Sequence, residues 1–510
     1  MKIAILILYF AVLIGIGLYC RKYSTDVNGF VLGGRSVGPW LTAFAYGTSY
    51  FSAVVFVGYA GQFGWRYGIS ATWAGIGNAL IGSLLAWAVL GRRTRIITQH
   101  LNSATMPQFF GKRFDSMPLV IASSAIIFVF LIPYTASLYN GLSRLFGMAF
   151  SIDYSACIVL MAILTAIYVI AGGYMATAIN DFIQGIIMLF GIVAVVVAVL
   201  ESKGGLMESM AGLARVTDET VTTTPGIFNS FLGPDPLNLF FVVVLTSLGT
   251  WGLPQMVQKF YAIKDEDSVQ KGTVISTLFA FVVAGGCYFL GGFGRLFSDE
   301  IDIAANGFDS IIPTMLQNLS PAMIAFVVIL VLSASMSTLS SLVIASSSTL
   351  TIDFIKNTFQ KDMSDKAQVR MIRAFIVVFI AISAIIAMIQ YKSSVTFIAQ
   401  LMGVSWGALA GSFLAPFLYS LYWKRTTKLA CWACFIWGTG ITLIDLLDKS
   451  LLPAMIQSPI NCGVVAMLVG LVLVPVVSLV TPKPDEKLVD ECFACYEKKT
   501  YVSQKDALGD

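Results

Sequence analysis

Ser337 and Thr338 follow Ala334 by three and four residues, inside the uncharged stretch SASMSTLSSLVIASSSTLT (333–351). On a helix, a Ser or Thr hydroxyl lies close to the backbone carbonyl three or four residues earlier. The Ala334 carbonyl and these two hydroxyls therefore converge on one point. Three neutral oxygens suit a small hard cation, which takes about six oxygen ligands in all, so a partner segment must supply the rest. The same spacing also lets each hydroxyl bond its own helix, and small side chains let helices pack closely. Taken alone, the stretch leaves both readings open.

The partner candidate is AYGTSYFSAVVFVGYAG (45–61), which sets Gly47, Thr48, Ser49, Ser52, Gly58 and Gly61 in an apolar run. Such a run can break its helix in mid-membrane and free carbonyls where they face a cavity or an ion. It can also be a continuous helix with a seam of small residues.

Both stretches need a membrane around them. The chain of 510 residues is 57% hydrophobic and 12% charged, against roughly 25% charged residues in soluble domains. Uncharged runs such as 120–142 and 464–480 are long enough to cross a bilayer, which takes about 20 residues. The pattern predicts an all-α membrane protein with thirteen transmembrane helices, near 3–19, 38–61, 70–91, 117–146, 153–171, 179–200, 236–256, 272–294, 318–351, 371–391, 394–422, 429–447 and 460–480. The first of these lacks an A-x-A-like cleavage site and reads as a retained helix.

Thirteen crossings divide the 32 Lys and Arg residues unevenly. With the N-terminus outside, 24 of them fall on inner segments, Lys259 among them, and 8 on outer ones. Inner loops are enriched in basic residues, so this orientation puts the C-terminus in the cytosol of a multi-pass plasma-membrane protein. The segment 201–235 reads as an external loop, and the tail from Thr481 as a short, partly disordered cytosolic extension.

Several functions are unsupported. There is no G-x-x-x-x-G-K-[ST] run for an NTPase, no selectivity-filter loop and no Arg-rich voltage-sensing helix. The carboxylates read within spans are Asp181, Asp445 and Asp448, too few and too scattered for a membrane hydrolase. No catalytic residue is assigned, the chain is not read as an enzyme, and neither a nucleic acid nor an obligatory protein partner is indicated. His100 reads as a solvated loop residue. The C-x-x-C pairs 431–434 and 492–495 could share zinc only if both sat at the cytosolic face; small apolar packing is the simpler use of such residues.

The two oxygen-rich stretches, in this order, resemble the sodium:solute symporter family. VNGFVLGGRSVGPW (27–40) is similar to that family's inner loop before its first core helix. YVIAGGYMATAINDFIQGIIM (168–188) resembles its Gly-Gly hairpin and Thr-Asp-x-x-Gln signature, with Asn180 in place of Thr. GTWGLPQMVQKFYAIKD (249–265) resembles its seventh helix and the basic loop after it. The likeness runs from about residue 26 to 480 and looks closest to the bacterial sodium/proline branch.

The resemblance implies a LeuT-like core of two inverted five-helix repeats, 38–200 and 236–422. A first helix and inner loop (1–37), two peripheral helices (423–480) and the tail (481–510) lie outside it. It implies sodium held by the carbonyls of Thr48, Phe51 and Ala334 and the side chains of Ser337 and Thr338, with Asp181 on the sodium exit path. A helix-end ion pair is the other use for Asp181. It also implies a substrate pocket around Ser52, Val54, Tyr134, Thr246, Thr250, Trp251 and Gln255. Tyr134 keeps the family's aromatic position, whereas Val54, Thr246 and Thr250 stand where the proline branch has aromatic side chains.

The expected activity is sodium-coupled import of a small organic solute, an amino acid such as proline or a relative. A sugar, a monocarboxylate or a vitamin-like acid is the alternative. A passive channel and a proton-coupled carrier are further rivals, the latter disfavoured because no ion-site side chain titrates.

Overall fold

The computed structural model describes residues 2–150, 153–393 and 398–497. Among them the chain is helical throughout, with two isolated backbone bridges and no strand. Ten helices are long and apolar enough to cross a membrane, or eleven if the bent pair Pro236–Gly252 and Pro254–Ala262 is one span. Two of the ten exceed a single crossing. Tyr154–Glu201 has 48 residues, but Gly173 inside it adopts φ 58°, ψ −153°. Val54–His100 has 47 residues and turns at Gly68, φ 65°, ψ −143°. Both glycines hold conformations that a side chain would strain. The loop expected between 171 and 179 is thus a single reversed residue.

Large apolar side chains such as Phe190, Leu278 and Val480 face outward. Patches of this kind suit lipid, since water-soluble monomers rarely expose them. The hydroxyl-rich helix Pro321–Thr349 is the opposite case, being buried continuously from Leu330 to Thr349. It packs against Tyr154–Glu201 and Met117–Phe150. Helix Pro39–Tyr50 also packs on Tyr154–Glu201, and on Glu266–Gly292.

Glycines set the closest of these approaches. A Cβ built on Gly64 would lie 2.0 Å from the main chain of Gly291, and one on Gly291 would lie 2.0 Å from the Ala60 carbonyl. Small residues let membrane helices meet at backbone distance.

Two features at the end that carries the C-terminus go beyond the sequence reading. The segment between Arg92 and Phe114 is two helices, Arg92–His100 and Met106–Phe114, not an irregular loop. In the described part of the tail, helix Glu486–Phe493, capped by the Asp485 carboxylate, lies against these helices. Lys424 pairs with Asp490 at 2.8 Å. Arg113 sits over the Phe493 ring. His100 is exposed, as expected, and ends its helix with Nε2 2.8 Å from the Glu491 carbonyl. Residues 498–510, and 394–397 at the expected start of one span, lie outside the described residues.

Candidate functional site

The segment 45–61 is a broken helix. Pro39, which needs no backbone partner at a helix start, opens Pro39–Tyr50. The helix ends at Phe51, whose backbone is extended at φ −106°, ψ 97°. Ser52 starts the second half: its carbonyl accepts from the Val55 and Phe56 N–H groups at 3.0 Å, and its hydroxyl accepts from Val54 N–H at 3.2 Å. A π-helical turn, Val54–Tyr59, follows and runs into Ala60–Tyr67.

The break changes what the Thr48 carbonyl meets. Its helical partner four residues on, Ser52, lies beyond the end of the first half. The carbonyl instead lies 3.1 Å from the Ser337 hydroxyl and 3.1 Å from the Thr338 hydroxyl. Those hydroxyls are also 3.1 and 3.0 Å from the Ala334 carbonyl, and Ser337 is 2.9 Å from the Ser333 carbonyl. Thr48, Ser337 and Thr338 are inaccessible to solvent, and Phe51 and Ala334 nearly so. This makes five short oxygen–oxygen contacts. Two hydroxyls carry only two protons between them. The two protons are therefore shared among the five contacts in three-centre bonds, and the same oxygens could face a small cation instead.

One helical turn along from Ser337 and Thr338, Ser341 shares a 2.7 Å hydrogen bond with Ser49. The Lys259 ammonium donates to Ser341 at 2.8 Å and lies 4.0 Å from the Asp181 carboxylate. Both charged side chains are fully buried. Lys259 was counted as a surface charge by its closeness to a basic loop, and the structure corrects that. The signal available in the sequence was its spacing of four from Gln255, which puts both on one face of Pro254–Ala262. Asp181 is joined to this cluster, and the neighbouring Gln184 donates to the Tyr9 hydroxyl at 2.9 Å.

The residues read as a substrate pocket divide into two groups. Tyr134 lies beside Ser52 and packs edge-on against Trp406 at 6.0 Å. Its hydroxyl makes no hydrogen bond among the described residues, and neither does the side-chain amide of Gln255. Val54 is fully buried next to the helix break. The remaining three are engaged by backbone. Thr246 donates to the Val242 carbonyl at 2.9 Å, Thr250 to Ser247 at 2.9 Å, and the Trp251 indole to Ile81 at 3.0 Å. Tyr50 and Trp406, which sequence reasoning passed over, close the centre: their rings lie 6.2 Å apart, and the Tyr50 hydroxyl donates to the Thr246 carbonyl.

All eight cysteines are buried and unbridged. Among the described residues no three His, Cys, Asp or Glu side chains cluster as metal ligands would.

The fold matches that of a Na+-coupled sialic acid symporter solved substrate-bound and outward-open, with a TM-score of 0.73 at 15% identity over 95% of this chain and 99% of that one. It also resembles Mhp1, a nucleobase-cation-symport-1 family transporter, at a TM-score of 0.50 and 13% identity over 90% and 97% of the two chains. The architecture is thus the LeuT-like one. In sequence the chain is 29% identical to the osmoregulated proline transporter OpuE of Bacillus subtilis (strain 168), over 94% of each. It is 32% identical to the sodium/proline symporter of Staphylococcus aureus (strain JH9), over 86% of this chain and 84% of that one. The profile of the sodium:solute symporter family matches residues 30–438. With that match over most of its length, this chain belongs to the sodium:solute symporter family.

Proposed function

We propose that this chain imports a small organic solute, of proline's class, by coupling it to inward movement of sodium. The observation that carries the reading is the meeting of the Thr48 carbonyl with the Ser337 and Thr338 hydroxyls at a helix break. Sodium would take the carbonyls of Thr48, Phe51 and Ala334 and the side-chain oxygens of Ser337 and Thr338. Asp181 would attract the ion as it leaves.

The ion would draw the broken helix onto the hydroxyl-rich helix and so favour substrate binding; by linkage, substrate favours the ion equally. A membrane potential of 100 mV supplies about 2.3 kcal/mol per charge, and a tenfold sodium gradient about 1.4 kcal/mol. Together these support accumulation of roughly 500-fold per ion. The bundle would cross the cell membrane thirteen times, with Gly68 and Gly173 as reversal points and the C-terminus in the cytosol. The 48 residues of Tyr154–Glu201 rise about 72 Å in all, enough for two passes of a hydrocarbon core of about 30 Å once the segment reverses at Gly173. Residues 38–200 and 236–422 would be the two inverted repeats.

The substrate would sit among Ser52, Val54, Tyr134 and Gln255, beside Thr246, Thr250 and Trp251. A small sugar, monocarboxylate or vitamin-like acid is the second reading: Val54, Thr246 and Thr250 stand where the resemblance to the proline branch implies aromatic side chains, which would change the polarity and volume of the pocket.

The test is uptake into proteoliposomes of the full chain, with labelled proline and a panel of small acids and sugars, in sodium or choline at fixed pH. Sodium-dependent accumulation above the outside concentration is expected. Uptake that never exceeds equilibrium, or that ignores sodium, overturns the reading.

A further inference from the structure

Arg113 is a buried charge without a counter-ion. It is inaccessible to solvent, yet among the described residues no carboxylate lies within 4.0 Å of its guanidinium. One of its nitrogens donates to the Trp423 and Lys424 carbonyls at 3.5 and 3.3 Å. The other two, Nε and Nη1, have no hydrogen-bond partner among the described residues. The guanidinium lies 5.0 Å from the ring centres of both Phe114 and Phe493. Rings and carbonyls offer partial charges only, whereas a cation taken out of water demands a full one.

The guanidinium lines a cavity of about 380 Å³ at the end of the bundle that carries the C-terminus. Two membrane-length helices end on it. Lys428–Leu451 begins there, and Pro459–Val480 finishes two residues before Pro482, which forms part of the wall. The mouth is therefore at the level of lipid head groups, with the exposed Leu429 beside it as an apolar surface. Lys428 and Lys483 stand on the exposed rim. Thr427 caps Lys428–Asp448 by accepting from the Ala430 N–H at 3.3 Å, so that helix turns the positive end of its dipole to the cavity. Two carboxylates also line it. Asp485 is engaged by the Lys487 and Leu488 N–H groups at 2.8 and 3.3 Å, and Asp115 is exposed. Three positive side chains against two negative ones leave the lining net positive.

We propose that this cavity binds a phosphate group of net negative charge, carried either by an anionic phospholipid of the adjoining leaflet or by a soluble phosphate. The free N–H groups of Arg113 take its oxygens at the cavity wall, and Lys428 and Lys483 close on it from the rim. Hydrogen bonds between a guanidinium and phosphate oxygens are charge-assisted and strong, and basic pockets beside membrane helices take such head groups. The bound phosphate supplies the counter-charge that the chain itself withholds.

The experiment follows thermal unfolding of the purified full-length protein in two settings. In lipid nanodiscs, phosphatidylcholine alone is compared with mixtures containing phosphatidylglycerol. In detergent without sodium, potassium chloride is compared with potassium phosphate at equal pH and ionic strength. A ligand that binds the folded state raises its melting temperature, so the wild type is expected to melt higher in phosphatidylglycerol, in phosphate, or in both. A response confined to phosphatidylglycerol assigns the site to lipid; a response in detergent shows that soluble phosphate suffices. Arg113→Met is expected to raise the half-saturating concentration at least about tenfold. Lys428→Gln/Lys483→Gln also weakens the response, whereas Lys361→Gln, an exposed lysine outside the cavity, leaves it unchanged. A wild type that responds in neither setting, or an Arg113→Met protein that responds as the wild type does, overturns the proposal. If Arg113→Met does not yield monodisperse protein, the rim variant decides: a response equal to that of Lys361→Gln overturns the proposal.

Discussion

The Thr338 hydroxyl and the Thr48 carbonyl, 290 residues apart in the chain, lie 3.1 Å from each other in a region closed to solvent. The contact exists because one helix stops at Phe51 and leaves a carbonyl over, and because the other helix turns its hydroxyls toward it. Each half is a local event in the sequence. Only the fold brings them together.

Thr338→Ala removes one of the two hydroxyls in the cradle. A hydrogen bond or ligand contact to a charged group is worth about 1.5–3 kcal/mol. The half-saturating sodium concentration for uptake is therefore expected to rise at least about tenfold, with Thr338→Ser close to wild type. Initial uptake rates across a sodium series, in cells with matched surface expression, check this. An unchanged sodium curve in Thr338→Ala would remove this residue from the site.

Gly64→Ala places a methyl group 2.0 Å from the main chain of Gly291. Backbone cannot swing aside as a side chain can. The loss is expected to reach the top of the usual overpacking range of about 1–3 kcal/mol, seen as a lower melting temperature in detergent. Gly15→Ala, where an added Cβ meets nothing within 4 Å, is the matched control.

Deleting the chain from Asp485 onward strips the cover from Arg113 and the bonds from His100 and Lys424. Hydrogen exchange in 92–116 is expected to speed up, while 330–349 stays protected. Exchange mass spectrometry of the two proteins reads both segments at once. Equal exchange in 92–116 would mean that the tail rests on this surface without holding it.

Asp218 receives hydrogen bonds from Thr220 and Arg295, which hold its carboxyl down at about 2. An unfolded Asp titrates near about 3.9. Because the folded value is the lower one, the contact contributes fully above about pH 5 and is lost as pH falls through 2. Arg295 also lies 4.8 Å from the Trp65 ring. The fluorescence of Trp65 is expected to stay level from neutral pH to about 4 and to change below it. Asp218→Asn should abolish that acid step.

Much of the candidate site was legible because helical spacing is local. The separation of Ala334, Ser337 and Thr338 needs nothing beyond one turn of helix, and the Gly and Ser content of 45–61 marks the break. Lys259 was not legible: its partner Asp181 is 78 positions away, and its place next to a basic loop suggested water. Trp251 and Thr250 looked available because their acceptors, Ile81 and Ser247, are backbone oxygens, which composition does not mark. The docking of the tail helix was not legible either, because Lys424 and Arg113, which receive it, belong to remote parts of the chain.

Between Gly64 and Gly291 main chain meets main chain, with no side chain to act as a cushion. Two rods joined so closely swing together, as one lever. The second half of the broken helix is thus tied at backbone distance to Glu266–Gly292, whereas the first half, Pro39–Tyr50, meets that helix through side chains and joins the second half at Phe51–Ser52. That joint is the natural fulcrum, and the Thr48 oxygen sits beside it. The proposed ion, gripping this oxygen, would hold the short arm still, and its release would free the arm in the same event.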